Sequence, residues 1–149
     1  MRKKVIIGNW KMNNDKQETE NLLLNLKNKT WDKEIEVKVS PSFVNLEYAQ
    51  KILKNSSVEV VAQNMHYEEK GAFTGEISYK MLKSINVNSV IIGHSERRTL
   101  FYENDDTIKR KIKTALDNEM KVIFCFGESL EDRKEKRHIK IISKQLDVI

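Results

Sequence analysis

Strand-like and helix-like segments alternate along this whole 149-residue chain, and the alternation limits its possible folds more than any other feature. Short runs rich in Val and Ile are each followed by a polar loop and then by apolar residues at helical spacing. Five such units predict parallel strands joined by right-handed helical crossovers. The predicted strands are residues 4–9, 35–40, 58–63, 90–93 and 121–126, and the predicted helices are 15–29, 43–54, 78–85, 105–118 and 131–149.

Two closures fit this pattern: an open doubly wound sheet, or part of an eight-unit barrel. The chain has no linker rich in Pro, Gly or Ser, so we expect residues 1–149 to form one structural unit. At the start of the first helix, Asn14 is the expected N-cap, with Gln17 three residues later. In either closure the carboxyl ends of the strands meet on one rim, where the active sites of parallel α/β proteins lie.

Composition excludes several classes of partner. The net charge is +5, but Lys and Arg are interleaved with Asp and Glu, and the densest run, residues 131–137, has mixed sign. We therefore expect a solvated helix face there and no nucleic-acid binding. No apolar run is of bilayer length, so no membrane segment is expected. The single cysteine, Cys125, cannot form an internal disulfide, which fits a reducing, cytoplasmic setting.

The sequence also argues against a bound metal or nucleotide cofactor. The three histidines, His66, His94 and His138, lack the spacing of metal ligands. Glycine-rich phosphate loops of the dinucleotide and P-loop kinds are both absent. We therefore expect no metal and no cofactor.

The segment at residues 90–98, V-I-I-G-H-S-E-R-R, is the strongest candidate for a site. An apolar, β-branched strand ends there in a glycine and then delivers His94, Ser95 and Glu96 together. Ser95 or Glu96 could begin a short helix. The alternative is a polar strand end in which His94 is only a structural histidine.

Polar residues also end the other strands. Asn9 and Lys11 follow the first strand, and Lys11 could attract a phosphate or carboxylate as a point charge. The alternative for Lys11 is an ordinary surface lysine. Cys125, after the fifth strand, is interpreted as a small buried residue and not as a nucleophile, because no histidine is near it in sequence.

Five motifs occur in the order and spacing of one family. The chain therefore resembles the N-terminal portion, the first five βα units, of the triose-phosphate isomerase family. The resemblance implies an α/β fold that is an incomplete TIM (β/α)8 barrel, with parallel strands 1–5 and the helices outside. It also implies that residues 1–149 form a single partial barrel domain, truncated before the sixth strand. The motifs are G-N-W-K-M-N (8–13), A-Q-N (62–64), G-A-F-T-G-E (71–76), I-I-G-H-S-E-R-R (91–98) and C-F-G-E (125–128).

The resemblance implies interconversion of dihydroxyacetone phosphate and glyceraldehyde 3-phosphate through an enediolate. His94 would be the electrophile, as a neutral imidazole, for which this family is the standard example. Lys11 would hold the anionic substrate and stabilise charge on oxygen, and Asn9 would position Lys11 and the substrate. Ser95 and Glu96 would support His94 and Lys11.

The resemblance also implies a homodimer. The loop containing Thr74, Gly75 and Glu76 would insert into the partner subunit, where Thr74 would brace the partner's counterpart of the Asn9 region. The expected substrate is a small phosphorylated triose, and the expected location is the cytoplasm.

The departures from the family pattern concern length and three glycines. A full barrel of this kind has about 250 residues. The family's catalytic glutamate, its lid and its later phosphate-binding loops would all follow strand five, so we expect residues 1–149 to be inactive alone. Asn86, Glu119 and Lys136 stand where the family usually has glycine, which predicts residues with side chains in left-handed helix caps.

Two other functions stay open at this stage. One is a non-catalytic α/β module that binds a small phosphorylated ligand through Lys11 and the His94 loop. The other is an interaction protein that pairs with a full-length homologue through residues 64–76.

Overall fold

A computed structural model describes residues 3–149 and shows an α/β protein in which strands and helices alternate. The strands are β1 (Lys4–Asn9), β2 (Ile35–Ser40), β3 (Val58–Val60), β4 (Ser89–Ile92) and β5 (Lys121–Phe124). A 3₁₀ turn, Phe43–Asn45, precedes the second helix. The helices are α1 (Lys16–Lys27), α2 (Leu46–Ile52), α3 (Tyr79–Ser84), α4 (Ser95–Leu100), α5 (Asp105–Asp117), α6 (Leu130–Lys134) and α7 (His138–Leu146).

The first three strands form a parallel sheet in the order β1-β2-β3, as the alternation predicts. Lys4 lies opposite Ile35 in the β1–β2 pair, and Val37 lies opposite Val58 in the β2–β3 pair. Strands β4 and β5 are neighbours in a second, two-stranded sheet. These pairings confirm an α/β fold with parallel strands.

The chain divides into two compact units, each with its own apolar core. The first unit contains the residues up to Gln63 together with Lys80–Ser89, and the second contains Asn64–Tyr79 and Val90–Ile149. Fully buried side chains in the first include Leu23, Leu46, Val60 and Leu82; those in the second include Met65, Ile92 and Ile108.

The first helix begins one residue later than predicted. Asp15, and not Asn14, is the N-cap: its carboxylate accepts the backbone N–H of Glu18, whose side chain accepts that of Asp15. Asn14 has a φ of 68°, whereas an N-cap residue takes extended geometry. The predicted cap at Asn14 with Gln17 is therefore wrong.

The single helix predicted over residues 131–149 is wrong as well, because two helices, α6 and α7, occupy that segment. Lys136 stands between them with a φ of 58°. Its N–H donates to the carbonyl of Arg133 at 3.1 Å, and the N–H of Arg137 donates to that of Asp132 at 2.8 Å. This pair of hydrogen bonds is a Schellman motif, which ends a helix.

The same cap ends α3 and α5. Asn86 (φ 62°) donates to Lys83 at 2.9 Å, and Glu119 (φ 57°) donates to Leu116 at 3.0 Å. The residue after each cap makes the second hydrogen bond of the motif: the N–H of Val87 donates to the carbonyl of Leu82, and the N–H of Met120 donates to the carbonyl of Ala115. The left-handed caps predicted at Asn86, Glu119 and Lys136 are thus confirmed.

Apolar side chains on β1 remain in contact with solvent. Val5 is 48% exposed and Ile6 is 56% exposed, although both belong to a strand with a strong β pattern. On β5, Val122, Ile123 and Phe124 are only half-buried. By contrast, all four residues of β4 are buried.

Candidate active site

The first group of candidate residues lies at the carboxyl end of β1, in the first unit. Lys11 is exposed and has a left-handed backbone conformation, with a φ of 55°. Its N–H donates to Asn9 Oδ1 at 3.0 Å. The Nε2 of Gln63 donates to the carbonyl of Lys11 at 2.8 Å and to that of Ser40 at 2.9 Å. The structure thus brings Asn9 and Lys11 together. It adds Gln63, to which the sequence assigns no role and which lies at the end of the third predicted strand, within the A-Q-N motif (62–64).

The second group follows β4, in the second unit. Gly93 makes the turn with a φ of 79°, and a Cβ there would lie 2.9 Å from the carbonyl oxygen of Cys125. The next residue, His94, is the N-cap of α4, and its Nδ1 accepts the backbone N–H of Glu96 at 3.3 Å. Because Nδ1 is the acceptor, the neutral imidazole carries its proton on Nε2. His94 is therefore set to donate a hydrogen bond from Nε2.

Ser95 and Glu96 occupy the first turn of α4, so the predicted short helix is present. An oxygen of the Glu96 carboxylate lies 3.5 Å from Nδ1 of His94. Ser95 is exposed, and its carbonyl accepts the hydroxyl of Thr99 at 3.0 Å. Glu96 thus contacts His94 mainly through its backbone N–H.

A cavity of about 320 Å³ lies beside His94 between the ends of β4 and β5. Arg98 forms one wall, and its guanidinium donates to the carbonyl of Gly93 at 2.9 Å and to the carboxylate of Asp105 at 2.9 Å. A longer bond of 3.4 Å reaches the carbonyl of Cys125. The cavity is lined by Gly93, His94, Ser95, Arg98, Cys125, Phe126, Gly127 and Glu128.

Cys125 lines this cavity as a half-buried thiol. Burial raises its pKa above the ordinary value, and the positive charge of Arg98 opposes that shift only in part. The thiol is therefore protonated at neutral pH, which supports its interpretation as a packing residue.

The loop after Cys125 is fixed from α7, which the sequence did not indicate. The side-chain amide of Gln145 accepts the N–H of Gly127 at 2.8 Å and donates to its carbonyl at 3.1 Å. Glu128 pairs with Arg133 at 2.7 Å. Both contacts hold residues that line the cavity.

The predicted dimer loop presents an exposed tip, since every residue from 71 to 76, including Thr74, Gly75 and Glu76, is exposed. His66 packs against this loop: the centroid of its ring lies 4.2 Å from that of Phe73 in the loop and 4.2 Å from that of Tyr67.

A buried ionic cluster anchors the base of this loop. Lys111 donates to Asn64 Oδ1 at 2.9 Å and also hydrogen-bonds the carboxylate of Glu103, which Arg97 contacts at 2.6 Å. Burial raises the pKa of Glu103, but hydrogen bonds from Lys111 and Arg97 outweigh it and hold that pKa below its ordinary value. The sequence analysis missed this cluster, although Lys111 interrupts the apolar stripe of α5 at Ile108 and Ile112.

Two further properties concern ligands and membranes. Among residues 3–149, no group of three or more His, Cys, Asp or Glu side chains is arranged to hold a metal ion. In the same part of the chain, no helix has the length and apolarity needed to cross a bilayer.

By its fold and its candidate residues, the chain is a parallel α/β protein that carries polar, ionisable groups at the carboxyl ends of its strands. Active sites in folds of this class lie at the same position. Comparison with known proteins identifies the family. The sequence model for triosephosphate isomerase matches residues 4–149, so the chain belongs to the triosephosphate isomerase family.

Individual relatives agree. The triosephosphate isomerase of Flavobacterium psychrophilum is 50% identical over 147 residues, which cover 98% of this chain and 59% of that protein. The enzyme of that name from Flavobacterium johnsoniae is 52% identical with the same coverage. The one from Mycoplasma capricolum is 46% identical over 149 residues, which cover 100% of this chain and 59% of the relative. The chain thus spans 59% of the length of these relatives.

Proposed function

We propose that residues 1–149 carry the electrophile and lysine portion of an isomerase that interconverts dihydroxyacetone phosphate and glyceraldehyde 3-phosphate. The observation that supports this most directly is the hydrogen bond from Glu96 N–H to His94 Nδ1. It leaves an Nε2–H free to point at a carbonyl oxygen, as an electrophile in enolisation requires. Membership of the triosephosphate isomerase family supports the choice of reaction.

In the proposed reaction, Nε2–H of His94 hydrogen-bonds the carbonyl oxygen while a base removes a proton from the adjacent carbon. Negative charge then develops on that oxygen. The ammonium of Lys11 stabilises the developing charge and holds the phosphorylated substrate. His94 then moves a proton between the two oxygens of the enediolate, and the carbon proton returns to the neighbouring carbon. Asn9 holds Lys11, and Ser95 and Glu96 hold His94.

We further propose that these residues do not supply the carbon base. Proton abstraction from carbon needs a carboxylate placed against the substrate with a suitable pKa. Glu96 is the carboxylate nearest to His94 in sequence and so the first candidate for the base. It contacts His94 on the Nδ1 side of the ring, away from the Nε2 proton that would bind the substrate. On this proposal the chain forms strands one to five of an eight-stranded barrel, as a single partial domain, and shows no turnover by itself.

The complete enzyme is proposed to be a cytoplasmic homodimer that uses no metal or cofactor. The exposure of Thr74, Gly75 and Glu76 supports insertion of this loop into a partner subunit. The ring contacts of His66 support a loop that keeps one shape before it meets the partner.

The test joins residues 1–149 to the remaining C-terminal segment of the Flavobacterium psychrophilum relative and measures kcat/KM with glyceraldehyde 3-phosphate. Lys11→Met should nearly abolish activity, because an ammonium at the end of β1 would be lost. The control is Lys80→Met, on α3, which removes an equal charge from an exposed position and should change little. Equal losses in the two variants would contradict the assignment of Lys11. Phosphate-ester binding without turnover in the joined protein would favour the non-catalytic module.

A further inference from the structure

We propose that Gln63 is a positioning residue that holds Lys11 in its left-handed backbone conformation. This inference rests on the proposed function, since it concerns the lysine assigned to the substrate anion. Gln63 follows β3, whereas Lys11 follows β1, so the contact joins segments that are far apart in sequence.

Lys11 needs such a restraint because of its backbone. A φ of 55° is a conformation that residues with a Cβ rarely adopt, and lysine has no side-chain group that stabilises it locally. The N–H of Lys11 is held by Asn9 Oδ1 at 3.0 Å, and its carbonyl is held by Gln63 Nε2 at 2.8 Å. Both polar groups of the strained residue are therefore fixed by side chains.

The amide of Gln63 suits this position because its nitrogen carries two protons. One is donated to the Lys11 carbonyl and the other to the carbonyl of Ser40, at 2.9 Å. The Ser40 carbonyl also accepts the N–H of Trp10 at 3.0 Å. A single side chain thus ties the segment after β1 to the last residue of β2.

Gln63 itself is placed by the backbone that leads to it. The N–H of Val61 donates to the carbonyl of Val39, and that of Ala62 donates to the carbonyl of Ser89, each at 2.9 Å. Val61 and Ala62 are fully buried. Because the backbone before Gln63 is anchored on both sides, its amide can act as a fixed support for Lys11.

The direction of the Lys11 side chain follows from its backbone angles. Loss of the Gln63 amide would let Lys11 relax toward an ordinary φ and move its ammonium away from the substrate anion. The expected signature is a loss of activity without a loss of overall stability.

The test uses Gln63→Met, which keeps the length and volume of the side chain but removes both donors. The matched control is Gln50→Met, since Gln50 is another glutamine whose Nε2 donates to a backbone carbonyl, that of Asn86 at 2.6 Å. Hydrogen–deuterium exchange is measured on the joined protein for peptides that cover residues 9–13. Exchange there should accelerate about tenfold in Gln63→Met and stay unchanged in Gln50→Met.

The second readout is kcat/KM of the joined protein, which should fall about 100-fold for Gln63→Met, with equal far-ultraviolet circular dichroism in both variants. An inactive joined protein would overturn the proposed function while the exchange measurement still decides the role of Gln63. Equal exchange at residues 9–13 in the Gln63→Met variant and in the unsubstituted joined protein would overturn the inference. The inference would also be overturned if residues 9–13 of the unsubstituted protein exchanged as fast as an unstructured peptide.

Discussion

Replacing Glu119 by glycine should stabilise this protein, although it removes a charged, helix-compatible residue from the end of α5. Glu119 has a φ of 57° within a complete Schellman cap. The left-handed conformation costs a residue with a Cβ about 1–2 kcal/mol. Glycine avoids this cost but gains conformational entropy in the unfolded chain, which subtracts about 0.5–1 kcal/mol. The net gain expected for Glu119→Gly is therefore about 0.5–1 kcal/mol.

The same reasoning applies to Lys136, with a φ of 58° at the end of α6. Because the two caps end different helices, the gains should add to about 1–2 kcal/mol in the double variant. Asn86→Gly should gain less, since asparagine tolerates the left-handed region better than glutamate or lysine.

The assay is urea unfolding followed by far-ultraviolet circular dichroism, which reports the helices whether or not the side chains are tightly packed. With a slope of about 2 kcal/mol per molar urea, each glycine should raise the midpoint by about 0.3–0.5 M. Glu119→Ala is the control, because it removes the carboxylate but keeps the Cβ. If Glu119→Ala stabilised as much as Glu119→Gly, charge and not backbone strain would be the cause, and the reasoning would be refuted.

Three further outcomes follow from buried and exposed groups. Because the pKa of Glu103 is lowered, the stabilisation that Glu103 provides should be complete above the ordinary carboxyl pKa and be lost as pH falls through its lowered value. Glu103→Gln should flatten this acid dependence in unfolding measurements. The same variant should cost about 3–5 kcal/mol at neutral pH, because the buried ammonium of Lys111 would lose its carboxylate partner. Because the pKa of Cys125 is raised, its alkylation by iodoacetamide at neutral pH should be slower than that of free cysteine, and equal rates would contradict the burial. Because Val5 and Ile6 on β1 are exposed, the isolated chain should aggregate or be molten. It should then bind ANS and show weak near-ultraviolet circular dichroism. A monodisperse monomer with a sharp thermal transition and no ANS binding would refute this expectation.

Features set by nearby residues could be predicted from the sequence. The apolar run of β4, the turn at Gly93 and the helix that begins at Ser95 all follow from the order of a few neighbours. The left-handed caps at Asn86, Glu119 and Lys136 could be predicted only from the resemblance to the family, because none of these positions is a glycine in this sequence. The break at Lys136 was for that reason absent from the helix predicted by periodicity alone.

Features that depend on distant residues could not be predicted. The amide of Gln63 meets the carbonyl of Lys11 across 52 positions of sequence, and Lys111 meets Asn64 across 47. Periodicity places such residues on a strand end or a helix face but does not choose their partners. The choice between Asn14 and Asp15 as N-cap failed for a related reason: both residues suit a cap, and only the left-handed backbone of Asn14 excludes it.

The most direct test of the central claim, that this chain carries the electrophile and the lysine but not the base, is an isomerase assay on purified residues 1–149 with glyceraldehyde 3-phosphate. Residues 1–149 alone should show no turnover above background, and fusion to the C-terminal segment of a relative should produce activity that His94→Gln removes. Turnover by the isolated chain that survives repurification and disappears in His94→Gln would contradict the account, because a base would then have to lie within these 149 residues.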